Sequence, residues 1–310
     1  MTGATSTLDP AEPVVTGVGV VGPHGSAPGQ PWFDYRSELG RRGYKYFPPA
    51  CHYLLAAARR AVADAGGPPR CPPAMRSAAV GTNSAGSVWH SEMDRTIVGA
   101  GAHELSPMTA TFFSINLVAG QLAIEHELTA FTLTFTSPHV AGVEALHLGA
   151  LSLRPGRARW MLVGATEAPL DEDEPGATRS EEGAVVLVVE PAGIAAARGA
   201  GWYGRCASAS GFLPPDEADP GHAGELLGRL GVRDPAVPVR VVVDDSRVGR
   251  AVRQALGPRA GIVAARSGCL EPMAQVAAGL TDGPPVSLSV AASSAGNIVV
   301  TRIERVFPKR

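Results

Sequence analysis

Residues able to do chemistry sit at the ends of strand and helix patterns in this chain. His139 opens a helical pattern, 139 to 153, directly after FTLTFT at 131 to 136, a strand pattern of β-branched and aromatic residues. An imidazole on such a strand-to-helix turn can serve as an acyl acceptor or a general base. Ser137 brings a hydroxyl close to it in sequence, with Pro138 between them. Cys269 precedes the helical pattern at 270 to 280, and a helix N-terminus favours a thiolate. Asp244, Asp245 and Ser246 follow the strand pattern VRVVV.

Each residue also has a packing role to set against its chemical one. The positive end of a helix disfavours imidazolium, so His139 reads as a neutral ring filling space. Ser137 ends the strand and caps the helix. Cys269, like Cys51, Cys71 and Cys206, behaves as a small buried hydrophobe.

Other chemistries lack their residues. The four cysteines are scattered without metal-like pair spacing, so neither a zinc site nor a disulfide framework is indicated. TNSAGS at 82 to 87 lacks the Lys of a P-loop and the three-Gly spacing of a dinucleotide site, and reads as a flexible turn above a sheet. No cofactor and no metal are expected. A formal charge of −2, from 27 Lys and Arg against 29 Asp and Glu, supplies no long-range field for nucleic acid or an anionic membrane. The opening residues have no basic-then-apolar secretion pattern and no apolar run approaches a membrane span, so a cytoplasmic location is expected.

The elements that must position these residues alternate. Strand patterns at 14 to 21, 78 to 81, 131 to 136, 159 to 164 and 181 to 191 are interleaved with helical patterns at 50 to 65, 112 to 127 and 139 to 153. The second half repeats this: strands at 202 to 208, 237 to 243, 286 to 291 and 297 to 303, with helices at 221 to 230, 246 to 256 and 270 to 280. Such alternation predicts parallel strands covered by helices, and its repetition a duplicated α/β unit. At 310 residues and 45% hydrophobic composition the chain can bury a large core.

Several segments, in order, resemble the β-ketoacyl synthase family. VVTGVGVVGPHG at 14 to 25 is similar to that family's opening strand and turn, and the run from 112 to 137 to its helix and strand leading to the nucleophile elbow. WMLVGATEA at 160 to 168 and EEGAVVLVVEP at 181 to 191 resemble the strand after the elbow helix and the hairpin closing the first half. Gly142, Ala145 and Leu146 keep the elbow spacing, with His139 where the family has its Cys. The resemblance covers residues 13 to 191 and fades beyond them. The family's two second-half histidines lie in a His-Gly-Thr turn and a Gly-His turn. Their counterparts here are Asp244–Asp245–Ser246 and Ser267–Gly268–Cys269, and the last histidine of the chain is His222.

The resemblance implies an α/β, thiolase-like fold: two pseudo-repeated α/β halves, 13–191 and a shortened 192–307, forming one compact, layered αβαβα body. Condensation in that family needs a thiolate and two imidazoles. Losing one preorganised donor costs about a hundredfold to a thousandfold in rate. The implied function is therefore a non-condensing subunit, similar to chain-length factors of bacterial type II polyketide or fatty-acid-like biosynthesis, with His139 in place of their Gln. Its expected partner is an active ketosynthase, as a heterodimer, or a second copy, as a homodimer. An acyl carrier protein is reached through the partner. Contact is expected through the strand 131 to 136, itself expected to be buried. The alternative is an acyltransferase, thioesterase or decarboxylase with a site rebuilt from Ser137, His139, Cys269 and Asp245.

Overall fold

The apolar runs pair into one ten-stranded sheet. The computed structural model describes residues 8–23, 32–107 and 114–306. Its strands are β1 (Pro13–Val21), β2 (Arg76–Gly81), β3 (Phe131–Phe135), β4 (Trp160–Glu167), β5 (Gly183–Pro191), β6 (Gly204–Phe212), β7 (Val239–Val243), β8 (Ala260–Ala264), β9 (Val286–Ala292) and β10 (Asn297–Arg305). They lie in the order β3-β2-β4-β5-β1-β6-β10-β9-β7-β8. Adding five to each number of the first group reproduces the second group, read outward from the join. β2 pairs in parallel with β3 and β4, and β7 with β8 and β9, whereas the β4–β5, β5–β1, β9–β10 and β10–β6 pairs are antiparallel. The groups meet at β1 and β6, where Val15 lies opposite Gly204.

The helices are α1 (Tyr35–Glu38), α2 (Pro49–Asp64), α3 (Ser87–Ala100), α4 (Leu117–His126), α5 (Ala141–Leu153), α6 (Ala192–Ala197), α7 (Pro220–Arg229), α8 (Arg247–Leu256) and α9 (Leu270–Thr281). α5 and α9 touch strands of both groups and each other. Leu146, Leu153, Met161, Leu187, Met273 and Leu280 fill the layer between the two groups. α2 and α4 cover the outer face of the first group, and α7 and α8 that of the second. The result is the α-β-α-β-α layering of a thiolase-like fold. Each fully buried Leu or Met adds about 1.5–3 kcal/mol of apolar burial to this arrangement. Among the described residues no helix is long and apolar enough to cross a membrane.

Local signals explain where elements stop and why some escape a sequence reading. α2 begins with Pro49, whose missing N–H costs nothing in the first turn. α8 buries Val248, Ala251, Val252 and Leu256 and turns its arginines outward, a clear amphipathic stripe. α3 buries only Met93 and so shows no such stripe. Polar contacts hold it: Arg95 to Asp171 at 2.9 and 2.5 Å, and Ser91 to Glu174 at 3.1 Å. β8 is five residues long and only partly covered, so its pattern is weak. The helix expected from 112 begins at Leu117, and residues 108–113 of that region lie outside the described residues.

One expectation is corrected here. The strand leading to His139 is not buried: β3 is an edge of the sheet, with Thr132 and Leu133 exposed. Its β-branched residues cover a pleat on one side and leave a free edge on the other.

Candidate functional site

The chain leaves β3 through Thr136, Ser137 and Pro138, and must reverse sharply to start α5. His139 takes that reversal at φ 61°, a left-handed conformation rare for a residue with a side chain. α5 has no side-chain cap; Ser137 serves it instead through its carbonyl, which accepts from Ala141 N–H at 3.0 Å. The expected hydroxyl cap is therefore replaced by a backbone one. Gly142 permits the close approach of the second group, since a Cβ there would lie 2.5 Å from Met273 Cγ and 2.8 Å from Ala165 Cβ.

The turn aims the His139 ring across to the second group. Nδ1 is 3.2 Å from Gly268 O, and Nε2 is 3.7 Å from Asp244 Oδ2. Burial pushes the imidazole down, but Asp244 and the Gly268 carbonyl outweigh it and raise its pKa above the usual value. Burial pushes Asp244 up, yet His139 and Ser246 hold its carboxyl down at about 2. With an acceptor facing each ring nitrogen, the surroundings favour the protonated ring more than water does. This runs against the neutral ring expected from the helix dipole, because a carboxylate contact opposes the terminal partial charge.

The other sequence candidates are placed apart from this pair. Asp245 points to solvent, where its carboxylate meets Arg253 Nη2 at 2.9 Å; Asp244 is the aspartate that faces His139. Alternation along the backbone decides which of two adjacent acids turns inward. Ser137 makes no side-chain hydrogen bond to His139. Cys269 is fully buried. Burial, then the neighbouring Glu167 and Glu181, raise its thiol well above the ordinary value, so it is no ready thiolate.

A second cluster, which the residue spacing did not reveal, lies beside Cys269. Glu167, at the end of β4, is fully buried. It accepts from Asn83 N–H (2.9 and 3.0 Å), Ser84 N–H (2.7 Å), Ser84 Oγ (2.7 Å), Thr82 Oγ1 (3.2 Å) and Cys269 N–H (2.8 Å). TNSAGS is thus not a loose turn: its first three residues wrap an anion supplied by the chain itself. Glu181 accepts from Leu270 N–H at 3.1 Å and Glu271 N–H at 2.8 Å. Burial and then the charge of Glu167 push its carboxyl up to about 7. Together the two carboxylates satisfy the otherwise free N–H groups at the start of α9. Gly268 lies so close that a Cβ would be 2.5 Å from Glu181 Oε2. The signal for this cluster was present in GATEA and EEGAVV, where an acid interrupts an apolar strand pattern. A cavity of about 270 Å³ adjoins it, lined by Val20, Glu181, Arg266, Leu270 and Ala274 among others, but not by His139.

Residues 34–190 match the family model of the β-ketoacyl synthase N-terminal domain. No curated protein sequence matches the chain. Among solved structures, the ishigamide ketosynthase/chain length factor superposes with a TM-score of 0.76 at 21% identity, over 95% of this chain and 99% of that one. A type II polyketide synthase acyl-carrier protein in complex with its ketosynthase bound to the hexaketide (AntDE:AntF) gives 0.72 at 18%, over 95% and 99%. A β-ketoacyl synthase from Burkholderia phymatum STM815 gives 0.71 at 14%, over 95% and 99%. At these identities the superpositions establish the shared fold.

Proposed function

This chain belongs to the β-ketoacyl synthase family, and we propose that it acts as a non-condensing, chain-length-factor-like subunit beside an active ketosynthase in bacterial type II polyketide or fatty-acid-like biosynthesis. The observation that carries this reading is the placing of His139. At the elbow, where condensation needs a thiolate, stands an imidazole between Asp244 and Gly268 O, whose contacts favour its protonated form. Such a ring offers no nucleophilic sulfur, and both its nitrogens face acceptors. The nearby thiol, Cys269, is buried against two carboxylates. The same reading treats 13–191 and 192–307 as two halves of one body and places the protein in the cytoplasm.

The partner edge is β3. Thr82 N–H donates to Phe135 O, and with Gly81 opposite Phe135 in the parallel register strand alternation turns the N–H groups of Thr132 and Thr134 away from β2. Leu133 on β3 and Ile124 on α4 are exposed large hydrophobes on this side. One neighbour is a ketosynthase/chain length factor and another is a ketosynthase complexed with its carrier protein. They support an active ketosynthase as the proposed partner and an acyl carrier protein as the molecule reached through it. A second copy of the chain is the other occupant of the edge.

The test is mass spectrometry of carrier-bound products, with the purified chain alone and mixed with an intact ketosynthase of a type II polyketide system. The expected result is no extension alone, extension with the partner, and a heterodimer lost in Thr134→Pro, which removes an outward N–H. A two-carbon extension by the chain alone, abolished by His139→Ala, would overturn the reading. A stable monomer in both samples would favour the second reading, a rebuilt acyltransferase, thioesterase or decarboxylase. The Asp244–His139 pair supports that reading, because a substrate displacing one partner would free an acid or a base. Thioester hydrolysis or carbon dioxide release lost in Asp244→Asn is its signature.

A further inference from the structure

A groove of about 600 Å³ lies where β2 and β4 begin and β5 ends. β4 spans Trp160–Glu167, so at ~3.3 Å per residue the groove is about 25 Å from the Glu167 end of the sheet, where the elbow lies. Arg70, Arg159 and Arg198 line it together with Pro68, Pro69 and Ile194.

The three arginines differ in one respect. Arg198 is neutralised: its Nε and Nη2 reach the buried Glu190 carboxylate at 3.0 and 2.5 Å, and its Nη1 donates to Ala65 O at 2.8 Å. The side chains of Arg70 and Arg159 have no hydrogen-bond or ion-pair partner among the described residues. No carboxylate lines the groove. Elsewhere Arg59, Arg60, Arg95 and Arg205 each meet an acid within 2.8 Å, and what sets Arg70 and Arg159 apart from other unpaired arginines is that they line one concavity together. Two uncompensated guanidiniums around one concavity attract an anion, and their planar forks match the oxygens of a phosphoryl group. Pro68, Pro69 and Ile194 add a rigid apolar wall, and the volume falls in the range of small-molecule sites.

We propose that this groove binds a soluble organic phosphate, with the phosphoryl group between Arg70 and Arg159 and the apolar remainder against Pro68, Pro69 and Ile194. Binding involves no covalent step, and the site stands independently of the elbow.

Isothermal titration calorimetry of the full chain with hexyl phosphate tests it. Saturable binding is expected, weakened about tenfold by Arg70→Gln or Arg159→Gln, the loss due to one charge-assisted hydrogen bond, and abolished in the double variant. Ile194→Ser should weaken hexyl phosphate and leave inorganic phosphate unchanged, and Arg229→Gln, on α7, should change neither. Equal unliganded melting temperatures establish that the variants fold. Absence of saturation, equal affinity in the double variant, or binding only to vesicles containing phosphatidic acid would overturn the proposal.

Discussion

α5 and α9 hold equivalent places in the two strand groups, each following its group's edge strand and lying in the central layer. Their N-termini are built in opposite electrostatic senses. α9 receives two buried carboxylates, Glu167 and Glu181, which reach it from the first half. α5 has no side-chain cap and begins at a strained His139 whose ring reaches Asp244 in the second half. Each half therefore reaches the other's helix start, the first with two carboxylates on backbone N–H groups and the second with one carboxylate facing a histidine ring. A repeated fold fixes where a helix begins; the side chains crossing between the repeats fix its charge.

The anionic side should matter most for stability. Glu167→Ala leaves the N–H groups of Asn83, Ser84 and Cys269 and two hydroxyls without their acceptor, and should cost about 3 kcal/mol or more in denaturant titration. A loss below ~1 kcal/mol would mean that water replaces the carboxylate and that the two helix starts are less different than drawn. Gly268→Ala comes next. Its Cβ would press on Glu181 and, at 2.6 Å, on Glu167 Cδ, for about 1–3 kcal/mol of overpacking. Gly142→Ala should cost less, because its nearest contacts, Met273 Cγ at 2.5 Å and Ala165 Cβ at 2.8 Å, are apolar and carry none of the hydrogen bonds that cap α9. Equal losses would remove the distinction.

The two starts should also answer pH in different windows. Glu181 binds its proton more tightly in the folded chain, at about 7 against an ordinary 4.5. Its contribution is thus full below 4.5 and is lost as pH rises towards 7. Glu181→Gln should flatten stability across that interval in a series of melting curves. The smallest effect belongs to Asp244→Asn. His139, raised above 6.5, contributes below that value and loses its contribution as pH rises through its folded value. Asp244, lowered to about 2, contributes above 3.8 and loses its share as pH falls through about 2. The variant should therefore cost about 1 kcal/mol near pH 5 to 6 and little at pH 9, while the His139 ring resonance titrates at lower pH. An unmoved titration would break the pair.

Much of this molecule was legible in one dimension. Runs such as WMLVGA and GAVVLVV are apolar throughout because both faces of those strands are covered, and so they announce central strands. The elbow spacing from His139 to Gly142 likewise survives as a local pattern, because a sharp turn and a close helix contact each demand particular residues. Hidden elements were those without a pattern of their own. β8 exists because β7 pairs with it, and α3 because Arg95 and Ser91 find acids far along the chain.

The site divides the same way. Sequence alone determined that His139 occupies the strand-to-helix turn and that no histidine follows His222. Only the tertiary structure decided that Asp244 rather than Asp245 faces that ring, that Cys269 is a protonated core thiol, and that Glu167 and Glu181 cap α9. Residue type and spacing are properties of a local stretch. Protonation and pairing depend on the field of groups brought together from more than a hundred residues away, as Glu167 is to Cys269 with a separation of 102, and no window along the chain contains both.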